Sequence, residues 1–230
     1  MAWEASVEPA RVAPTRESLS HYLYAVVDGL PRRWRPPSSG IGPGPVLARR
    51  VRDLTIISSA VDAPPSRTPR AVALHNEVVA STFEADAVLP IEFGTVIPAP
   101  GVEAWLAANL GVVRARLARC RRHVEMRIRL VSLATSDGTR DRLRETADSL
   151  VDHAGLPDWQ YRDDGVLASS LAFTVPRDGV EGFLARIAPV AARAGTVAVV
   201  PTGPWPVSSL STRGAPELAP APASALARAG

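Results

Sequence analysis

A chain of 230 residues has room for two modest cores, because single domains cluster at roughly 100–150 residues. Its 46% hydrophobic and 21% charged composition is that of a folding chain, and its 26 basic residues, all arginine, are offset by 23 acidic ones. The net charge of only +3 excludes the strong one-sided field of a dedicated nucleic-acid binder, and the single Cys120 excludes an intramolecular disulfide or a cysteine metal pair.

The first twenty residues hold Glu4, Glu8 and Glu17 without an apolar block, so they read as a disordered lead and not a secretory signal. Residues 21–27, rich in aromatic and β-branched side chains and closed by Asp28-Gly29, predict a strand. Residues 31–45 have many breakers and no period, and read as a long mobile connection. A second strand is predicted over 54–61. Between 70 and 86, Ala71, Leu74 and Val78 with Val72, His75, Val79 and Phe83 form one helical stripe. Residues 88–97 are extended, with Pro90 removing a ladder donor and Gly94 marking a bend.

From Val102 the apolar positions Leu106, Leu110, Val113, Leu117 and Cys120 recur in steps of three and four, which predicts a helix of about twenty residues. Its opposite face carries Arg114, Arg116, Arg119 and Arg121. At Val124 the period switches to two, giving a half-buried strand and a domain boundary just before it. Asp137-Gly138 then turns into a helix with Leu143, Ala147, Leu150 and Ala154 on one face, ended by Gly155. Short strands over 159–162 and 166–175 flank a hairpin turn at Asp163-Asp164-Gly165. A helix with Val180, Phe183, Leu184, Ile187 and Val190 on one side leads to a last strand over 196–200.

The order from Val124 is β-α-β-β-α-β, in which two helices cover one face of an antiparallel sheet and the other face awaits the preceding domain or a partner. The fold class is therefore α+β. It comprises a lead (1–20), a small α+β domain ending in a long helix (21–122), a ferredoxin-like domain (123–210) and a disordered tail (211–230). No stretch supplies the roughly 18–20 uninterrupted apolar residues of a membrane helix, so the chain reads as cytoplasmic, with no membrane partner.

The sequence holds no nucleophile elbow, HExxH, P-loop or dinucleotide fingerprint, so no catalytic, cofactor or metal residues are assigned. The run Gly40-Ile41-Gly42-Pro43-Gly44 is a poor phosphate cradle, because Pro43 lacks the N–H and no lysine follows. His75-Asn76-Glu77 is better read as a packed histidine with its ring bonded internally than as an acid/base pair. His123 and Glu125 share a strand face that reads as solvated. Trp205, between Pro204 and Pro206, is either an aromatic binding surface or a plug over the apolar sheet edge.

Five segments together resemble the gas vesicle protein F/L family. They are residues 22–27, His75-Asn76-Glu77-Val78-Val79, the Leu-Pro-x-x-Phe-Gly-Thr run within 88–96, His123-Val124-Glu125-Met126, and Thr202-Gly203-Pro204-Trp205-Pro206. The resemblance spans about 22–210 and implies an N-terminal α+β domain and a C-terminal ferredoxin-like domain. It also implies a minor or accessory component of gas vesicle formation that contacts the shell protein or other accessory proteins, without enzymatic activity, in the cytoplasm or on the vesicle. Phe93, Gly94, Thr95, Gly203, Pro204, Trp205 and Pro206 are its motif residues, and Arg114 and Arg116 are expected contact residues. The chain departs from the family at Glu92, where arginine is usual, and at 207–210, where a Pro-Tyr-Ser-Phe ending is usual. A second reading, by analogy of fold alone, is a small-molecule sensor or regulatory binding module.

Overall fold

The computed structural model describes residues 20–135, 138–208 and 218. Most of the expected lead and tail, and Asp137, lie outside these residues. Among those described are two antiparallel sheets and four α-helices, so the fold is α+β as expected.

The first sheet is ordered by β1 (Ser20–Asp28), whose residues from Tyr22 to Val27 are 0% exposed. A strand alternates its side chains, so a run of this kind persists only where both faces are covered. The register slips between Leu23 and Ala25, where β1 pairs with β3 (Leu54–Val61). That bulge lets Tyr24 and Ala25 share a face. Leu23 and Val26 join Leu54, Ile56 and Leu89 under α2 (Val102–Cys120), while Tyr22, Tyr24, Ala25 and Val27 pack toward α1 (Pro69–Ser81). The strand order is β2 (Val46–Val51), β3, β1 and β4 (Ala87–Pro90), with β5 (Val96–Pro98) also pairing with β1.

Three elements differ from expectation here. Strand β2 lies between the 31–45 connection and the strand predicted from 54, where no element was expected; its pattern is one buried residue, Val46, followed by four exposed ones, because an edge strand needs little apolar content. Helix α1 stops at Ser81, where the Thr82 hydroxyl donates to Val79 O (2.7 Å) and closes the last turn. The 31–45 connection is anchored: Trp34 Nε1 donates to Ser81 O (3.0 Å), and Ile41 is buried against β3. Gly42, at φ 89, comes so close to β3 that an added Cβ would sit 2.4 Å from Ala60 O, which explains the glycines better than a phosphate would.

The second sheet is built from β6 (His123–Ser132), β7 (Trp159–Asp163), β8 (Ala168–Pro176) and β9 (Val197–Trp205), in the order β7-β8-β6-β9. Val124, Met126, Ile128 and Leu130 of β6 are each at most 2% exposed and face α3 (Thr139–Ala154) and α4 (Val180–Arg193). The predicted α3 stripe, Leu143, Ala147, Leu150 and Ala154, is buried throughout, and Gly155 ends the helix at φ 61. Phe173 and Phe183 meet at 5.2 Å between centroids at the centre of this core.

Two strand boundaries moved. Val166 and Leu167 sit in the hairpin loop, 57% and 43% exposed, and β8 begins only at Ala168. Strand β9 runs past Val200 to Trp205 despite Pro201 and Pro204, because it is an edge strand and a missing N–H on its outer side breaks no ladder.

Contacts join the two halves. The Arg177 guanidinium donates to Phe83 O (2.9 Å) and lies 4.7 Å from the Phe83 ring centroid, Arg177 N donates to Arg122 O (2.8 Å), and Arg121 pairs with Asp28. Phe83, at the end of the α1 segment, packs against the core of the second sheet.

Candidate functional site

Three segments distant in sequence converge on His75. The ring is 6% exposed on α1. Its Nδ1 shares a hydrogen bond of 2.7 Å with the Tyr22 hydroxyl, and the imidazole also bonds the Ile91 backbone. Tyr22, Tyr24 and Phe93 surround it at 5.7 Å, 5.7 Å and 5.7 Å between centroids, and Arg67 lies 5.4 Å from the Phe93 centroid. Burial, with Arg67 adding to it, pushes the His75 pKa down to about 4, so the imidazole is neutral near pH 7 and one nitrogen donates while the other accepts. Burial also raises the Tyr22 hydroxyl far above its ordinary range. These are packed and internally bonded groups, as the sequence reading of His75 anticipated.

Phe93, Gly94 and Thr95 form the turn that carries Phe93 to this cluster. Gly94 takes φ 96 and its N–H donates to the Tyr22 hydroxyl (3.4 Å). The Thr95 hydroxyl and N–H both donate to Glu92 O, at 2.8 and 3.2 Å, and Thr95 O receives the Leu23 N–H (3.0 Å). The motif thus stitches the break between β4 and β5 onto β1. The Glu92 side chain points outward and is exposed, so its departure from the family pattern leaves the turn intact. Beside this cluster a second small network closes on itself: Ser59 donates to Ile41 O, which leaves the Tyr24 hydroxyl to donate to Ser59 Oγ (2.9 Å) and to accept from Ile41 N.

Gly203, Pro204, Trp205 and Pro206 sit at the end of β9, in the other sheet. The ladder with β6 shifts register between Glu125 and Arg127, and Gly203, at φ 121, lies where a Cβ would meet Glu125 O at 2.9 Å. Trp205 is 41% exposed, so it is not a plug over the sheet edge. The buried neighbour is Val207, 1% exposed against Cys120 of α2. Glu125, expected on a solvated face, is 1% exposed: it accepts from Arg127 Nε (2.6 Å), from Ser208 N (3.0 Å) and from the Ser208 hydroxyl (3.0 Å). A carboxylate can be buried when its lone pairs are filled in this way. Val207 and Ser208, which replace the usual family ending, therefore fasten the end of β9 to α2 and β6.

The arginines of α2 are less free than the helical wheel suggests. Arg116, read as part of the exposed face, is buried at 9%, because α2 is covered on more than one side: Trp105 and Asn109 are buried as well. Arg114 is exposed and pairs with both oxygens of Asp53 at 2.9 Å, which holds that carboxyl below its usual range. Burial pushes the Cys120 thiol up to about 11 and keeps it unreactive. An open groove of about 440 Å³ between β2 and α2 is lined by Arg50, Val51, Arg52, Glu103, Ala104 and Ala107. Among the described residues no three His, Cys, Asp or Glu side chains are grouped to hold a metal, and no helix is long and apolar enough to cross a membrane.

The sequence reading left the outer face of the second sheet to the preceding domain or a partner without saying which residues meet there. Arg127 and Arg129 of β6 and Arg162 of β7 all emerge there, beside Ser170 and Ala172 of β8 and Val200 of β9. The period-two alternation from Val124 marks Arg127 and Arg129, but only the strand order adds Arg162 and Val200.

The fold has relatives of known structure. The gas vesicle protein GvpF from Anabaena sp. PCC7120 superposes with a TM-score of 0.73 at 13% identity, covering 84% of this chain and 96% of that one. GvpF from Microcystis aeruginosa gives 0.68 at 12% identity, with 84% and 98% covered. At such identities the likeness establishes the fold. No curated protein matches the sequence. The sequence profile of the gas vesicle synthesis protein GvpL/GvpF family matches residues 20–156, more than half the chain, and includes the strand, histidine and Phe-Gly-Thr segments gathered around His75. By that match the chain belongs to the GvpL/GvpF family of gas vesicle synthesis proteins.

Proposed function

We propose that this protein is an accessory or minor structural component of gas vesicle formation, acting in the cytoplasm or on the vesicle through contacts with the shell protein and other accessory proteins. Residues 21–122 and 123–210 act as two domains, the second ferredoxin-like, that hold out surfaces at a fixed relative orientation. The observation that carries this reading is where the family motifs go. They converge on packing: His75, Tyr22 and Phe93 lock one sheet, and Gly203 with Glu125 locks the end of the other. Titratable groups engaged in this way serve a scaffold and not a reaction, so no catalytic step or cofactor is assigned. Exposed Trp205 and Arg114 are the motif and helix residues best placed to touch a neighbour, whereas buried Arg116 supports α2 from within.

The test is recovery from a vesicle-forming cell of tagged full-length protein together with its bound partners. Shell or accessory vesicle proteins are expected in the eluate. Their complete absence, with the tagged protein folded and abundant, would overturn the reading.

A further inference from the structure

We propose that the outer face of the β7-β8-β6-β9 sheet is a docking surface for an acidic helical segment of a partner protein. The inference rests on the protein-contact reading above and names the face and the chemistry. α3 and α4 cover only one side of this sheet. On the other side, one row across the strands reads Arg162, Ser170, Arg129 and Val200, and the next pairs Ala172 with Arg127. The three guanidinium groups are exposed, and Val200 is 45% exposed beside them. Ser170 and Ala172 are small and half-buried, so a helix between the arginines can approach the sheet closely.

Charge selects the occupant. Of the nearby acids, Glu125 is buried beneath Arg127 and Ser208, and Asp164 is engaged by Arg162 at 2.6 Å and by Ser170. Arg129 also acts on Asp164 electrostatically, without an ion pair within 4.0 Å among the described residues, and three guanidinium groups against these two carboxylates leave the face net cationic. A second copy docking symmetrically would bring the same arginines together, which repels. The chain's own tail is a poor cover too: Leu218 packs against the core of the first sheet, and residues 209–230 carry Arg213 and Arg228 against the single acid Glu217. Nucleic acid would want several stacking rings, and this face offers only Trp205, at one end. A helix with carboxylates flanking a short apolar stripe fits the arginines and Val200 together.

The experiment titrates full-length protein with a labelled synthetic helix of about 20 residues carrying glutamates beside an alanine–leucine stripe, and with its lysine counterpart. Anisotropy at low salt is expected to show binding of the acidic helix only. Arg129→Glu and, separately, Val200→Glu should each weaken it about tenfold or more, while Arg70→Glu on α1 leaves it unchanged. Equal binding of both helices, no binding of the acidic one, or undiminished binding by Arg129→Glu protein of unchanged melting temperature would overturn the proposal. Recovery of vesicle proteins by wild type and Arg129→Glu alike would also sink this inference while leaving the proposed function standing. Failure of wild type to recover any would sink the proposed function itself.

Discussion

Strands β3 and β6 both run through the middle of a sheet and hold similar aliphatic side chains, yet they live in different surroundings. In β3, Ile56 and Ile57 are consecutive and both 0% exposed, one under α2 and the other toward α1. In β6, Ile128 is 0% exposed and its neighbour Arg129 faces solvent. The first sheet is therefore, at β3 and β1, a filling between two layers. The second is a roofed sheet whose other face is covered at its Glu125 and Thr174 end and open along Arg129 and Arg162. Under the contact role proposed above, the first sheet is the stiff part and the second the presented part.

The largest test of that division is a set of three truncations. Ile56→Ala and Ile57→Ala should each cost about 2–5 kcal/mol, as should Ile128→Ala, measured by denaturant unfolding. A near-neutral Ile57→Ala would break the comparison by showing that the α1 side is no true core.

Next comes Gly42, which ties the 31–45 connection to β3. Gly42→Ala meets both the backbone strain of φ 89 and the Ala60 carbonyl, and should cost about 2–3 kcal/mol. Gly94→Ala, at φ 96 with open space around the added methyl, should cost about 1 kcal/mol, from the backbone alone. Equal effects would mean that the loop yields, and that this side of the sheet is covered only loosely.

Acid should loosen the first sheet specifically. The folded His75 pKa of about 4 lies below its ordinary value of 6.5, so the unfolded chain takes the proton first. Stability from this residue is whole above pH 6.5, is lost progressively as pH falls from 6.5 through 4, and the full loss is about 3 kcal/mol. Thermal melts between pH 7.5 and 4.5 should show a shallower slope in His75→Gln, and an identical slope would remove His75 from the explanation. The smallest effect belongs to the open face. Arg129→Ala should stay within about 0.5 kcal/mol of wild type by the same unfolding measurement, because it removes no buried group.

Much of this architecture is legible in the sequence, because side-chain period reports which faces are dry. The alternation from Val124 and the stripes of α3 and α4 depend on local geometry alone, and their apolar positions face the core as expected, whereas Glu125 on the polar side is buried. The cluster around His75 was legible only in pieces. The Tyr22, His75 and Phe93 segments stand apart in sequence, and nothing local says that they meet.

Sequence by itself determined the α+β class, the order of the main elements and the family, since these follow from period, turn chemistry and motif spacing. Tertiary structure alone decided what depends on neighbours far along the chain. Edge strand β2 exists because β3 offers it a ladder. Arg116 is buried because α2 is covered on more than one side, and Glu125 is buried because Val207 and Ser208 fold back over it. The cationic outer face exists because strand order sets Arg162 of β7 and Val200 of β9 in one row with Arg129 of β6, and lateral order in a sheet has no signature in the period of any single strand.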